Sequence, residues 1–346
     1  MAYTSGSVAD VAALLTAIKT FLVTTCGYTC DWDETVANTN ERVGYDADEP
    51  PIGTTAREMW FTLPSTTGTP YAIGMRVGPA LWTSGYLNLR FNCISTSPDD
   101  PNTTRFEQQG VGGGWIPTVE GTTEGMPRII LPSGSTAIDY EIAVDDDHFR
   151  MVVTSPAVTV TQMVYLGALN PVGPDVDDVD HWPWPAFVGA SAYDEVQPVA
   201  GSNFHWFLRS GLTGSSTPTY GTGYVWHGGR LVSMSPSNNR FADGAPGGYW
   251  TTWGLTEGDH VVAACFDDSV LTLEGHVIAP TGPQTQRLLG SFRGIRFMSP
   301  NLGDGSFAAA GDVINPSGDD FTVVRDCGSS SDNSINRNAF AAFLRA

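Results

Sequence analysis

Hydrophobic and polar positions form their clearest strand pattern within residues 145–171. Residues 148–154 (HFRMVVT) are rich in β-branched and aromatic side chains, which favour strands. Ser155-Pro156 interrupts this run because proline has no N–H to donate to a neighbouring strand. Residues 159–166 then begin with a strict two-residue alternation, which is typical of a half-buried strand. The pattern predicts two strands and a short turn, with no nucleophile–base pair or metal-ligand cluster among them.

A helix is predicted from Ser7 to Val23, where apolar residues recur at intervals of three and four. Ser7 followed by Asp10 resembles a capping box, and Gly27 is expected to end the helix. The polar face is thin, so we expect most of the helix surface to be covered, by a sheet or by a neighbouring subunit. The residues expected to form this interface are Val11, Leu14, Leu15, Ile18 and Leu22.

The rest of the chain favours many short strands separated by loops rich in Gly, Pro, Ser and Thr. The further predicted strands are residues 57–64, 71–77, 86–95, 128–131, 139–144, 204–209, 223–227, 229–234, 249–253, 261–266, 270–278, 290–299 and 321–326. The predicted fold is mainly β: a β-sandwich-like core with an N-terminal amphipathic helix and a second aromatic-rich β domain. The expected domains are 1–172 (helix and β core), 173–286 (aromatic-rich domain or insertion) and 287–346 (strands and tail that complete the core).

The charge of the chain limits its partners. It has 346 residues and a net charge of -20, from 37 acidic and 17 basic residues, and Lys19 is its single lysine. Such a surface repels nucleic-acid backbones and anionic membranes, so we expect no direct contact with nucleic acid. No stretch approaches 18 consecutive apolar residues and the polar start lacks a basic region, so neither a membrane span nor a signal peptide is expected.

The five cysteines do not form a disulfide framework, because their number is odd and their spacing irregular. This usage favours a reducing compartment. Cys26 and Cys30 lie close in sequence, but they lack the second pair or nearby histidine that zinc sites have.

Two acidic runs could hold Ca²⁺, which prefers oxygen ligands. One is residues 145–147; the other consists of Asp175, Asp177, Asp178 and Asp180. The second run lacks the spacing and turn glycine of an EF-hand loop. Solvated loop carboxylates that limit strand pairing are the alternative interpretation, and the one we prefer. We therefore expect no bound metal and no cofactor.

Aromatic residues suggest a second kind of site. Trp182, Trp184, Trp206 and Trp226 could stack on sugar rings, although the core of a small β domain would need the same residues. Catalytic motifs are weak: residues 189–193 fail the GxSxG pattern at the last position, and residues 112–114 lack the GK[ST] of a phosphate loop. Paired carboxylates are too common here to indicate a glycosidase. We predict that the protein is not an enzyme.

Three stretches resemble structural proteins of tailed bacteriophages. The opening SGSVADVAALLTAIKTFLVTTCGYT resembles their N-terminal helix, and a polar strand carrying Trp32 follows it. HFRMVVT with TQMVYLGALNP resembles their strand and following Tyr-x-Gly-x-Leu hairpin, matched here by Tyr165, Gly167 and Leu169. GDVINPSGDDFTVVRD with NAFAAFLRA resembles their closing strand and tail, while residues 173–286 carry no resemblance.

The resemblance implies a virion component of the tail or baseplate region, assembled in the host cytoplasm. Such proteins act through interfaces in symmetric assemblies, so the implied partners are copies of the chain in a ring and other tail, baseplate or neck proteins. The alternatives are a receptor-binding tail protein that recognises a host-surface glycan, or a neck or collar protein. The resemblance carries no catalytic residue across.

Overall fold

In the part of the chain that the structure describes, the fold is mainly β, with three antiparallel sheets and one short N-terminal α-helix. These elements come from a computed structural model. It describes residues 1–36, 56–62, 72–79, 86–94, 128–145, 148–156, 158–171, 186–190, 223–227, 230–233, 250–251, 272–282, 285–298, 311–315, 318–324 and 340–345.

Sheet I has seven strands in the order β1-β7-β8-β9-β11-β12-β13, and every neighbouring pair is antiparallel. Its strands are β1 (Ala2–Val8), β7 (Ile138–Asp145), β8 (His148–Ser155), β9 (Val158–Ala168), β11 (Ala186–Ala190), β12 (Gly223–His227) and β13 (Arg230–Ser233). The two strands predicted around Ser155-Pro156 are confirmed as β8 and β9. They lie in the middle of the sheet, and every residue of β8 except Thr154 is buried.

Sheet II contains five strands in sequence order. They are β2 (Thr29–Val36), β3 (Ala56–Thr62), β4 (Ala72–Pro79), β5 (Tyr86–Ile94) and β6 (Arg128–Pro132). The strands predicted at 57–64, 71–77, 86–95 and 128–131 are confirmed here. Each strand pairs with the next one along the chain, so this sheet is a simple meander.

Sheet III contains the C-terminal strands in the order β14-β15-β16-β19-β18-β17, and β10 pairs with β16 off this path. Its strands are β10 (Asn170–Pro171), β14 (Trp250–Thr251), β15 (Thr272–Gly282), β16 (Thr285–Met298), β17 (Val313–Ile314), β18 (Phe321–Val324) and β19 (Phe340–Leu344). The backbone passes from β9 in sheet I to β10 in sheet III at Leu169, which is fully buried. This passage ties the two sheets covalently at a buried point.

The helix starts later than the sequence pattern predicts. Residues 2–8 form β1, and α1 (Val11–Thr20) begins after Asp10, whose carboxylate accepts a hydrogen bond from the Ala13 N–H at 2.8 Å. The capping box on Ser7 was therefore wrong, because Ser7 pairs with Asp139 in sheet I. A π-helical turn, Phe21–Thr25, continues α1.

Sheet I lies between two other layers. One face of its strands β7, β8 and β9 joins α1 and sheet II in a single hydrophobic core that includes Ile142, Phe149 and Leu166. The opposite face meets sheet III, where the ring of Tyr165 contacts the edge of Phe292 at a centroid distance of 5.2 Å. Because both faces are covered, several polar residues of β8 and β9 are buried, among them His148, Arg150 and Gln162.

The edge of sheet II is closed by a side chain of sheet I. The Gln162 amide on β9 donates to the Ile130 carbonyl oxygen at 2.6 Å and accepts from the Ile130 N–H at 2.7 Å. An amide side chain thus takes the place that a neighbouring strand's backbone would occupy on β6. This contact also fixes sheet II against sheet I.

The predicted strands at 204–209 and 261–266 lie outside the described residues, as does most of the segment 173–286. Its described strands extend existing sheets: β11 pairs with β9, and β15 pairs with β16. The boundaries after residues 172 and 286 stay predictions.

Close packing in sheet II leads to a first prediction. A Cβ at Gly74 would lie 2.6 Å from the ring of Trp60, which is fully buried. We expect Gly74→Ala to lower the free energy of unfolding by about 1–3 kcal/mol, because the overpacked ring has no space to move into. Urea denaturation of both proteins measures this change.

Gly134→Ala is the matched control, since no atom lies within 4 Å of a Cβ at that position. We expect it to change the free energy of unfolding by less than about 0.5 kcal/mol. Equal effects of the two substitutions would contradict the packing of Trp60 on Gly74.

Candidate functional site

The chemistry of the described residues is concentrated where the sheets meet. A deeply buried cation lies there, the guanidinium of Arg150 on β8, and this residue is 1% exposed. It donates to the carbonyl oxygens of Arg293 on β16 and Leu344 on β19, each at 3.1 Å. Its Nη1 also lies 2.7 Å from Nε2 of His148. One side chain of sheet I therefore binds the backbone of two strands of sheet III.

The shape of the junction fits the guanidinium closely. Gly294 has a φ of +64°, and a Cβ there would lie 2.2 Å from the Arg150 guanidinium carbon. The Phe343 ring lies 5.4 Å from the same carbon, a favourable distance for a cation over an aromatic face. A glycine is needed at position 294 both for its backbone conformation and for the space that the cation fills.

Burial lowers the pKa of Arg150 to about 10, because the charged form loses its water. The group remains cationic at neutral pH and needs Nε2 of His148 as an acceptor, which places the imidazole proton on Nδ1. The His148 ring also stacks on Tyr165, with centroids 5.5 Å apart. This arrangement orients the arginine but presents no group to solvent for a reaction.

A second polar cluster, centred on Glu141 of β7, joins the same two sheets. Its carboxylate accepts from Tyr3 at 3.0 Å, from Thr322 at 2.6 Å and from the Arg345 guanidinium at 3.1 Å. Arg345 also donates to the Thr322 hydroxyl at 2.7 Å. Tyr3 lies near the first residue of the chain and Arg345 near the last, so this cluster fixes both ends to sheet I.

A third cluster fixes α1 to sheet II. Asp33 on β2 accepts from Arg57 through both of its oxygens, at 2.8 and 2.9 Å, and from Lys19 at 2.6 Å. The hydrogen bonds from Arg57, and then those from Lys19, lower the pKa of Asp33 to about 2 despite its partial burial. The single lysine of the chain thus anchors the helix.

A row of charged residues crosses the face of sheet II that points away from α1. Glu58, Arg76, Arg90 and Arg128 lie opposite one another on successive strands, and all four are buried. Glu58 accepts a hydrogen bond from the Trp60 indole at 2.8 Å and lies 3.7 Å from Arg76. These residues are at most 3% exposed, so they lie in the interior of the protein and are not open to a ligand from solvent.

The described surface has an open groove of about 650 Å³ between α1 and sheet I. It is lined by alanines and threonines of the helix, by Thr4 of β1, and by the rings of Phe21 and Tyr140. None of these side chains is charged. The lining thus offers hydroxyl groups and apolar surface but no charge.

The structure places the residues predicted for a helix interface inside the chain's own core. Val11, Leu14, Leu15, Ile18 and Leu22 are each at most 5% exposed. Their apolar face packs on sheets I and II, which is the first of the two partners expected for it, so these residues do not form the alternative interface with a neighbouring subunit. Periodicity identified the buried face; only the packing shows what buries it.

The cysteines near the helix are both reduced. Burial raises the pKa of Cys26 to about 11 and also raises the pKa of Cys30. Thiols with raised pKa values are poor nucleophiles and metal ligands at neutral pH. Within the described parts of the chain, no three His, Cys, Asp or Glu side chains lie close enough to share a metal ion.

Nothing can be said about the side chains of most other predicted site residues. Asp175, Asp177, Asp178, Asp180, Trp182, Trp184 and Trp206 lie outside the described residues, and so do Asp146 and Asp147. Trp226 lies on β12, where only the backbone is described. Asp145 ends β7, and its carbonyl oxygen accepts from the Tyr28 hydroxyl at 3.1 Å.

Comparison with known proteins gives no match: no family model and no curated protein corresponds to this chain. Among the helices that are described, none is long and apolar enough to cross a membrane. Sequence reasoning missed Arg150 and Glu141, since an isolated polar residue in a strand gives no sign of what lies above it.

The Arg150 junction leads to a second prediction. Arg150→Met leaves the carbonyl oxygens of Arg293 and Leu344 buried without their donor, so we expect the free energy of unfolding to fall by about 2–4 kcal/mol. Arg150→Lys keeps the charge but cannot donate in several directions from a planar group, so it should restore only part of the loss. Urea denaturation at pH 7 measures both.

The control for this prediction is Arg296→Met, because Arg296 is only half-buried beside Phe321 on the same strand as Arg293. Arg296→Met should lower the free energy of unfolding by less than about 1 kcal/mol. If Arg150→Met were as stable as the unchanged protein, the sheets would not depend on this guanidinium.

The Asp33 cluster leads to a third prediction, which concerns pH. The folded pKa of about 2 is below the ordinary value of 3.8, so ionised Asp33 stabilises the fold above about pH 4. That stability is lost as the pH falls through 2. We expect Asp33→Asn to cost about 1 kcal/mol at pH 7, allowing for solvent screening, and progressively less from pH 4 to pH 2.

Urea unfolding at pH 7, 4, 3 and 2 measures this difference. Asp139→Asn removes the same charge from an exposed position on β7 and serves as the control. A cost of Asp33→Asn that stayed constant over the whole range would show that the Arg57 and Lys19 contacts do not stabilise the ionised carboxylate.

Proposed function

We propose that this protein is a structural component of a tailed-phage virion, in the tail or baseplate region, and that it acts through contacts between subunits. The observation that carries the proposal is that the polar groups of Arg150 and Glu141 bind other parts of the same chain. Both clusters join sheet III to sheet I and hold the two ends of the chain. The Nη groups of Arg150 and the carboxylate oxygens of Glu141 bond to backbone and side chains of the same chain.

The open groove beside α1 supports the same proposal. Its lining is uncharged, whereas the whole chain carries a charge of -20. Copies of an acidic protein repel one another unless they meet at neutral surfaces. An uncharged groove on a rigid, three-layered scaffold suits a subunit that repeats within an assembly.

The proposal includes a finer architecture and position. The core is β-sandwich-like, and a second aromatic-rich β domain extends over residues 173–286. The partners are copies of the chain in a ring and neighbouring tail, baseplate or neck proteins. The resemblance of the opening, middle and closing stretches to tailed-phage structural proteins supports this position.

The fourth prediction tests the location. We expect the protein in purified, DNase-treated virions in several copies per particle, and gold-labelled antibody should mark the tail or its tip. Quantitative mass spectrometry against a known tail protein gives the copy number. Label at the head–tail junction would instead support a neck or collar protein.

Absence from purified particles would overturn the proposal. Binding of host polysaccharide by the purified protein, lost on Trp182→Ala or Trp184→Ala, would move the function to receptor recognition. A matched Phe or Tyr substitution at the same position should retain that binding, because stacking needs an aromatic face.

A further inference from the structure

Strand β1 is the edge strand of sheet I among the described strands. It pairs along its whole length with β7, from Ala2 opposite Val144 to Val8 opposite Ile138, without a register shift. Among the described residues, no strand or backbone hydrogen bond occupies its outer side. Such an edge offers a row of N–H and C=O groups that only another extended backbone can satisfy in full.

This edge has none of the features that usually protect a strand from pairing. Its sequence, AYTSGSV, contains no charged residue and no proline, and it has no bulge. It is also seven residues long, which is enough for a stable pairing. These features therefore favour pairing of β1 with another strand.

The groove beside the edge has room for the side chains of an added strand. Thr4 of β1 forms one wall, and alanines and threonines of α1 form the other. The Tyr140 ring reaches across Gly6, where a Cβ would lie 3.0 Å from the tyrosine hydroxyl. The missing side chain at Gly6 thus lets an aromatic ring extend toward the open edge.

We propose that the occupant is β1 of a second copy of this chain, paired antiparallel about a two-fold axis through Ser5. This pairing rests on the proposed function, in which the protein acts through contacts between subunits, and it adds a two-fold contact to the head-to-tail contacts of a ring. It brings together two uncharged strands of a chain whose charge of -20 opposes association elsewhere.

The sequence of β1 is self-complementary in this register. Thr4 would lie opposite Gly6 of the second copy, so its methyl group would contact the Tyr140 ring that covers that glycine. Ala2 would lie opposite Val8 of the second copy, on the apolar side that faces the core. Each small position thus meets a larger one, and no charge is placed opposite a like charge.

The fifth prediction follows from the two-fold axis. Residue 5 would face residue 5 of the second copy, at the Cα separation of about 4.5–5.5 Å that a disulfide can bridge. We expect Ser5→Cys to form a covalent dimer of the full chain under mild oxidation. Non-reducing electrophoresis and mass spectrometry of the linked peptide identify the bond.

Ser7→Cys is the matched control, because in this register it faces Tyr3 of the second copy and has no cysteine to join. The unchanged protein shows any cross-linking by the native cysteines. If Ser7→Cys cross-linked as well as Ser5→Cys, or if neither formed the linked peptide in a self-associating protein, the proposed register would be wrong.

Charge at the axis gives an independent measurement. Ser5→Asp and Ser5→Lys each place like charges opposite one another, so each alone should raise the dissociation constant of the dimer about fivefold. An equimolar mixture of the two variants should regain the affinity of the unchanged protein, because Asp then faces Lys. Analytical ultracentrifugation measures this, with Ser133→Asp in an exposed turn as the control for added charge.

The outcomes separate the two proposals. Self-association that is unchanged by substitutions at Ser5, in a protein that is present in virions, would overturn the β1 contact and leave the structural function standing. A covalent Ser5→Cys dimer in a protein that is absent from virions would support the contact and overturn the virion function. A protein that remains monomeric at every concentration would overturn the β1 contact.

Discussion

The need to satisfy a buried guanidinium determines how the sheets of this protein meet. Arg150 sits in the middle of sheet I with almost no exposure, and an unsatisfied charge there would cost more than most folds can tolerate. Its acceptors are carbonyl oxygens of β16 and β19, so sheet III must dock in one position to provide them. Gly294 and Phe343 complete the fit around the cation. If sheet III were displaced, the Arg150 guanidinium would lose its acceptors, and the carbonyl oxygens of Arg293 and Leu344 would lose their donor.

The basic residues are few, and the structure uses the described ones inside the fold. Lys19 and Arg57 anchor the helix through Asp33, and Arg345 joins the C-terminus to Glu141. Arg76, Arg90 and Arg128 are buried on the far face of sheet II. Because these cations are paired or buried, they do little to offset the acidic surface. The uncharged edge of β1 is therefore a natural place for two copies to approach.

Local patterns predicted many of the strands because each strand needs only its own alternation of side chains. The predicted hairpin at 148–166 corresponds to β8 and β9, and the pattern at 86–95 corresponds to β5. The N-terminus was different: Ser7 resembles a helix cap, but residues 2–8 pair with β7 in a sheet, and Asp10 is the residue that caps α1. Pairing with β7 keeps Ser5, Gly6 and Ser7 extended, although these residue types have little strand preference of their own. No local pattern could therefore have predicted β1.

The sequence by itself determined the mainly β class, the apolar face of the helix and the acidic charge, since these depend on composition and short-range periodicity. The tertiary structure decided which surfaces meet. It buried Val11, Leu14 and Ile18 in the chain's own core, where periodicity allowed either a sheet or a subunit. It also brought Tyr3, Glu141 and Arg345 together from distant parts of the chain. Such long-range contacts depend on how whole sheets stack, and that information is not contained in any one stretch of residues.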